Sequence, residues 1–367
     1  MTNVDSNIMP RRGIREIPVY VGGRSGSNQL DKYIKLSANE NPYGPGESAL
    51  DAFKRSISNL GVYPDSNHTA LRFAIGDVMG IDSKRIICGA GSDEIIHFLC
   101  QCYVSKGDEV IHSLHGFAMY SISALTVGAT PVAIPEINRH ADINAIIEAC
   151  NKRTKIIFLA NPNNPTGTLI DNKKLNKLAD EIPSHTLLVL DGAYAEYIEK
   201  FDGGLDLVEK RNNVFITRTF SKIHGLGSLR VGWGYGPAHV IDTLQRVKGP
   251  FNISSVGQEV ATAAIRDTAY VEFCRNDNFK LRENLAVELH RIKILSDPSF
   301  ANFLLLRFPD PNLASLANQF LYSNGIIVRN VSNYSLNNCL RVSIGTANDC
   351  ERVLKSLTRF QEKNNAL

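Results

Sequence analysis

Lys222 stands in the stretch Thr219-Phe220-Ser221-Lys222-Ile223-His224-Gly225-Leu226-Gly227-Ser228-Leu229-Arg230, where the apolar run Val214-Phe215-Ile216 gives way to a glycine-spaced turn that ends in a second cation. A lysine amine at its ordinary pKa of ~10.4 is a poor nucleophile, but one desolvated beside other cations attacks carbonyl carbons. Alone, a Ser-Lys pair after a strand more often marks a solvated loop. Three further stretches carry chemistry of a related kind. Asp191 closes the apolar run Leu187-Leu188-Val189-Leu190 and is followed by Gly192-Ala193-Tyr194. A carboxylate there is costly to bury unless it meets a cation or a donor, although capping a helix would also account for it. Asn161-Pro162-Asn163-Asn164-Pro165-Thr166-Gly167 holds its amides on a loop stiffened by two prolines. Gly89-Ala90-Gly91-Ser92-Asp93-Glu94 leads from Arg85-Ile86-Ile87-Cys88 into an apolar helix. Such a junction offers free N–H groups and a positive dipole end to a phosphate; equally, Ser92 or Asp93 could simply cap the helix.

These stretches share a position, because each follows an apolar run that reads as a buried strand. Strands expected at 85–88, 109–112, 131–134, 155–160 and 187–190 alternate with helical patterns, which argues for a mostly parallel sheet covered on both faces. Ligands of such sheets bind beyond the carboxyl ends of the strands. From Phe303 the texture changes to a smaller α+β unit, with strands at 303–308, 326–329 and 340–344 and helices between and after them. The loop Leu36-Ser37-Ala38-Asn39-Glu40-Asn41-Pro42-Tyr43-Gly44-Pro45-Gly46 is dense in turn residues and fits either a functional loop or a connector.

At 367 residues the chain is long enough for two domains, and 43% hydrophobic and 21% charged residues are ordinary for a globular protein. The net charge of +3 and the lack of a basic stripe argue against nucleic acid. The polar start and the absence of any run near ~18 apolar residues argue against a leader or a membrane span, so a cytoplasmic location is expected. Seven scattered cysteines without C-x-x-C spacing, and histidines without H-E-x-x-H, predict reduced thiols and no metal site.

A lysine for an aldehyde, an anion site for a phosphate and a carboxylate that keeps a pyridine nitrogen protonated are what pyridoxal phosphate requires. The sequence resembles fold-type I aminotransferases of the class-II pyridoxal phosphate-dependent family, and within them the histidinol-phosphate aminotransferases. The resemblance covers nearly the whole chain. It rests on Ala38 to Gly44, Tyr63-Pro64-Asp65, Gly91 to Glu94, Asn161 to Gly167, Asp191 with Tyr194, Ser221-Lys222 with Arg230, and Leu340-Arg341 through Gly345-Thr346. It implies an α/β fold with a large cofactor-binding domain over 50–267, a mostly parallel mixed sheet between helices. A smaller α+β domain would comprise 1–49, with an N-terminal arm, and 268–367.

Carried over residue by residue, the resemblance gives Lys222 the covalent hold on the cofactor and the proton shuttle. Asp191 would face the pyridine nitrogen, Tyr194 and Asn164 the ring hydroxyl, and Phe117 the ring face, where relatives often place tyrosine or tryptophan. Ser92, Asp93, Ser221 and Arg230 would bind the phosphate, with the Tyr63 hydroxyl coming from the partner subunit of a homodimer with shared active sites. Arg341 would grip an α-carboxylate and Arg329 a substrate phosphate, with Asn41, Tyr43 and Asn164 also facing the substrate. One departure is Gly192, where most relatives have glutamate or alanine. The implied reaction interconverts histidinol phosphate and 2-oxoglutarate with imidazole acetol phosphate and glutamate, in histidine biosynthesis. An aromatic amino acid aminotransferase and a phosphoamino acid decarboxylase are the alternatives.

Overall fold

Strands that are apolar at successive positions, instead of at every second one, need cover on both faces. The chain supplies that cover by alternation. After β1 (Ile34–Leu36), the helices α1 (Glu47–Ser56) and α2 (Thr69–Met79) lead into β2 (Ile86–Gly89), α3 (Ser92–Tyr103), β3 (Glu109–Ser113), α4 (Ala118–Thr126) and β4 (Thr130–Ile134). A small hairpin of β5 (Glu136–Ile137) and β6 (His140–Ala141) precedes α5 (Ile143–Ala149), β7 (Thr154–Ala160), α6 (Asn172–Glu181), β8 (Leu187–Asp191), α7 (Leu205–Lys210), β9 (Val214–Thr219) and β10 (Gly232–Tyr235). Then come α8 (Ala238–Gln245), α9 (Ser255–Arg266), α10 (Thr268–Arg291), β11 (Leu295–Ser296), β12 (Phe303–Arg307), α11 (Pro311–Ser323), β13 (Ile326–Asn330), β14 (Cys339–Ser343) and α12 (Ala347–Asn365). The computed structural model describes residues 9–11, 13–17, 19 and 33–365, so most of the expected N-terminal arm lies outside the described residues.

The larger sheet has seven strands in the order β2-β10-β9-β8-β7-β3-β4, all parallel except β10, which runs against both its neighbours. Alternate side chains of each strand enter two separate cores. Ile156, Phe158 and Ala160 of β7 point to one, Ile157 and Leu159 to the other, and β8 divides its residues the same way. Full burial of each such side chain is worth about 1.5–3 kcal/mol, so the helices on both faces are held chiefly by these strands.

The smaller sheet, β1-β13-β14-β12-β11, is antiparallel except for the β1–β13 pair. It packs α10, α11 and α12 through Leu285, Leu289, Leu304, Leu306, Leu321, Val342 and Leu357. A further cluster joins the two units: Tyr194 and Ile223 from the large one meet Val271, Cys274 and Phe303 of the small one. It lies next to the carboxyl ends of β8 and β9.

Two departures from the sequence pattern concern the site. β9 does not stop at Ile216 but continues through Thr217, Arg218 and Thr219, all buried. Threonine's branched Cβ suits a strand, and the Arg218 side chain finds space between glycines. In addition, Ile34–Leu36 is a strand, too short to show a period, that pairs with Ile326–Val328 and so anchors the following loop to the smaller sheet.

Candidate active site

A cavity of about 210 Å³ opens where β8 and β9 end, walled on one side by the smaller sheet. Asp191 lies at its base and is 4% exposed. The parallel register sets Asp191 beside Thr217, whose hydroxyl donates to Oδ1 at 3.1 Å. The backbone N–H of Ala193 donates to the same oxygen at 3.2 Å, and the Tyr120 hydroxyl donates to Oδ2 at 2.8 Å. Burial pushes the Asp191 pKa up, and these donors oppose the shift without cancelling it. Among the described residues no cation forms a salt bridge with Asp191, so a proton-bearing nitrogen in the cavity would complete it. Tyr120 is held by stacking on Phe158, ring centroids 4.9 Å apart, and by an edge contact with Phe117.

Lys222 reaches the cavity from the turn after β9, pinned by the fully buried Phe220. Its amine donates to the Ala38 carbonyl at 3.1 Å and lies 5.8 Å from the centre of the Tyr194 ring. Burial, with the positive charge of Arg341 as the next cause, lowers its pKa to about 8. An appreciable fraction of the amine is therefore neutral at physiological pH, as attack on a carbonyl requires.

Ser92, Asp93, Ser221 and Arg230 line another part of the cavity. Helix α3 begins at Ser92 with no side chain capping it, so the helix-cap reading of Ser92 and Asp93 fails and the first-turn N–H groups are left without a side-chain acceptor. Arg230 crosses in front of them. It donates to Ser221 Oγ at 3.1 Å and to the Gly227 carbonyl at 3.0 Å, and pairs with Asp93 at 3.3 Å. Its own backbone is left-handed at φ 53°, a strain of order 1 kcal/mol for a non-glycine residue. Gly91, at φ +84°, admits the guanidinium: a Cβ there would sit 2.5 Å from Nη2.

The smaller sheet contributes two arginines from paired strands, Arg329 of β13 lying opposite Arg341 of β14. Arg341 is 6% exposed, donates to the Ser37 carbonyl at 2.8 Å and to Asn164 Oδ1, and packs over the Phe303 ring. Asn164 thus links the proline-rich loop after β7 to the small-unit arginine.

Of the residues singled out from the sequence, the cavity gathers Ser92, Asp93, Phe117, Asn164, Asp191, Tyr194, Ser221, Lys222, Arg230, Arg329 and Arg341. Three lie elsewhere. Tyr63 is 79% exposed and stacks on Phe251, away from the cavity of its own chain. Asn41 and Tyr43, expected to face the substrate, are not among the residues lining this cavity. Asn41 donates to the Ile223 carbonyl at 2.7 Å, and the Tyr43 hydroxyl donates to Asp277 on α10, so both fasten the loop instead of lining the cavity. Their neighbour Asn39 lines it, as do Thr219 and Tyr334. Tyr120, which the sequence did not single out, was signalled only by its place one helical turn after Phe117. Among the described residues no group of His, Cys, Asp or Glu gathers as metal ligands.

A depressed amine, a buried carboxylate lacking a cation and an uncapped helix end with an arginine suit the three ends of pyridoxal phosphate, and that fit defines a class of enzyme. The chain belongs to the class I and II aminotransferases, whose family model matches residues 31–357, and pyridoxal phosphate is the cofactor of that class. Among curated proteins it is 54% identical to the histidinol-phosphate aminotransferase of Dinoroseobacter shibae, over 97% of this chain and 99% of that one. It is 51% identical to that of Cereibacter sphaeroides, over 96% and 98%. The histidinol-phosphate aminotransferase of Sinorhizobium meliloti, solved with pyridoxal 5'-phosphate, shares its fold with a TM-score of 0.89 at 24% identity, covering 99% of both chains.

Proposed function

We propose that this chain exchanges an amino group between histidinol phosphate and 2-oxoglutarate, giving imidazole acetol phosphate and glutamate, as a step of histidine biosynthesis. The observation that carries this reading is the pairing of Arg329 and Arg341 across two adjacent strands at the cavity, in a chain half identical to histidinol-phosphate aminotransferases along almost its full length. Two guanidiniums offer one site for a carboxylate and one for a second anion, which glutamate and a phosphate-bearing amine each need.

Pyridoxal phosphate, when bound, supplies an aldehyde carbon and a ring that takes up the electron pair left when substrate Cα loses its proton. The Lys222 amine would hold the cofactor covalently and, when free, would remove and return the proton of substrate Cα. The Asp191 carboxylate, kept in place by Tyr120 and Thr217, holds a proton on the ring nitrogen. Tyr194 and Asn164 would hold the ring hydroxyl, Phe117 would cover the ring, and Ser92, Asp93, Ser221 and Arg230 would hold the phosphate. Arg341 grips the carboxylate of glutamate and Arg329 the phosphate of the other substrate.

The working unit in this proposal is a cytoplasmic homodimer in which Tyr63 completes the partner's phosphate site. Its support is the exposure of Tyr63 amid exposed Leu60, Val62 and Phe251, an apolar surface suited to a second copy, and the seven free thiols. Among the described residues no helix is long and apolar enough to cross a membrane. The division into a large domain at 50–267 and a small one from the flanking segments is proposed on strand membership.

The test is spectroscopic. Glutamate added alone to the yellow protein should bleach its visible band with release of 2-oxoglutarate, and imidazole acetol phosphate should restore it. A band that glutamate leaves unchanged would overturn the reaction type; one that imidazole acetol phosphate does not restore would overturn the substrate.

A further inference from the structure

Asn39 lies where the loop after β1 passes between the two sheets, 1% exposed and in the left-handed region at φ 57°, which asparagine tolerates better than most residues. Its hydrogen bonds form a chain whose direction is fixed at one end. The Asn39 backbone N–H can only donate, and gives to Ser343 Oγ at 2.9 Å. The Ser343 hydroxyl in turn donates to Asn39 Oδ1 at 3.1 Å. The carboxamide is oriented with Oδ1 toward Ser343 and Nδ2 toward Tyr194. Nδ2 donates to the phenol oxygen at 2.8 Å. The phenol hydrogen therefore cannot point back at Asn39. Among the described residues no acceptor takes it, and the hydroxyl borders the cavity.

We propose that Asn39 is a positioning residue: the relay Asn39 N–H to Ser343 to the Asn39 carboxamide to Tyr194 makes the Tyr194 phenol an obligate donor into the cavity, toward the ring hydroxyl oxygen of the cofactor. This deepens, and rests on, the reading of the cavity as a pyridoxal phosphate site. Ser343 lies two residues beyond Arg341 on β14, so the strand that presents the carboxylate-gripping arginine also sets the polarity of the phenol. Successive bonds in such a chain polarise one another, which strengthens the last donor.

The experiment titrates the visible band of the loaded protein against pH in the wild type, Asn39→Asp, Asn39→Ala, Ser343→Ala and Tyr194→Phe, with a thermal melt of each. A donor to the ring oxygen favours its ionised form, so losing the donor moves the midpoint up. Aspartate offers Tyr194 only acceptors and recaptures the phenol hydrogen. Asn39→Asp is expected to raise the midpoint by about one pH unit, as Tyr194→Phe does. Asn39→Ala and Ser343→Ala are expected to move it the same way by less. Should Asn39→Asp fail to fold, those two decide. Lower melting temperatures with midpoints at the wild-type value, while Tyr194→Phe shifts, would overturn the relay and leave Asn39 a purely structural residue. A wild type that develops no visible band with pyridoxal phosphate would overturn the cofactor reading, and the relay with it.

Discussion

The Arg218 guanidinium occupies the space that a side chain on Gly192 would need: a Cβ at position 192 would lie 2.9 Å from Arg218 Nε. Arg218 is 2% exposed, donates to the Asp202 carbonyl at 2.8 Å and pairs with Glu196 at 3.5 Å. Gly192 is thus matched by a buried arginine on the neighbouring strand, which braces the turn carrying Asp191 and Tyr194. Gly192→Ala should force the arginine aside and destabilise the fold by about 1–3 kcal/mol, read as a lower melting temperature. An unchanged melt would mean that the turn has slack.

Lys222→Ala should retain the fold and part of the affinity for pyridoxal phosphate, since Arg230, Ser221 and the start of α3 are untouched. Transamination should fall to background in a coupled assay for 2-oxoglutarate release. Substantial turnover in this variant would remove Lys222 from the mechanism.

With the Lys222 pKa at about 8, covalent capture of pyridoxal phosphate by the apoprotein should quicken as the pH rises through that value and level off above it. The sign follows from the chemistry, because only the neutral amine attacks. Arg341→Met removes a cation that disfavours protonation of Lys222, so the midpoint of the capture rate should move upward, toward the ordinary lysine value. Stopped-flow absorbance across the pH range measures both.

Arg329→Ala and Arg341→Ala should separate the two substrates. Loss of a charge-assisted contact of about 1.5–3 kcal/mol corresponds to roughly 10- to 150-fold in kcat/KM. We expect Arg329→Ala to show that loss with histidinol phosphate and to spare the half-reaction with glutamate, and Arg341→Ala to impair glutamate. Equal losses on both substrates in both variants would show that the arginines share one anion.

Mixing Lys222→Ala with a Tyr63→Ala chain tests the shared site. If Tyr63 serves the partner, a mixed dimer holds one cavity with both residues intact, and activity should exceed that of either parent. Mixtures that merely average the parents would place Tyr63 outside the partner's cavity.

Much of the site was legible because its residues end apolar runs: Asp191 after Leu190, the Asn164 loop after Ala160, and Ser92 after the β2 glycines each mark a strand's carboxyl end. The same logic could not find Tyr120 or Asn39. Tyr120 sits in the first turn of α4 as one more apolar helix residue, and only the fold brings its hydroxyl to Asp191. Asn39 was visible as part of a turn-rich loop, but its polarity depends on Ser343, distant in sequence. Asn41 and Tyr43 lie outside the cavity lining for the converse reason, since composition marks a loop without saying which of its side chains turn inward. Helix α7, six residues long with only Leu207 and Val208 buried, is too short to show a period.

A cradle of Arg230, Ser221 and the α3 amides that holds the cofactor's phosphate, as proposed, would grip such a group without regard to what it is attached to. Inorganic phosphate or sulfate in a purification buffer will therefore compete for it, and freshly made protein should take up its cofactor more readily after exchange into a buffer without such anions.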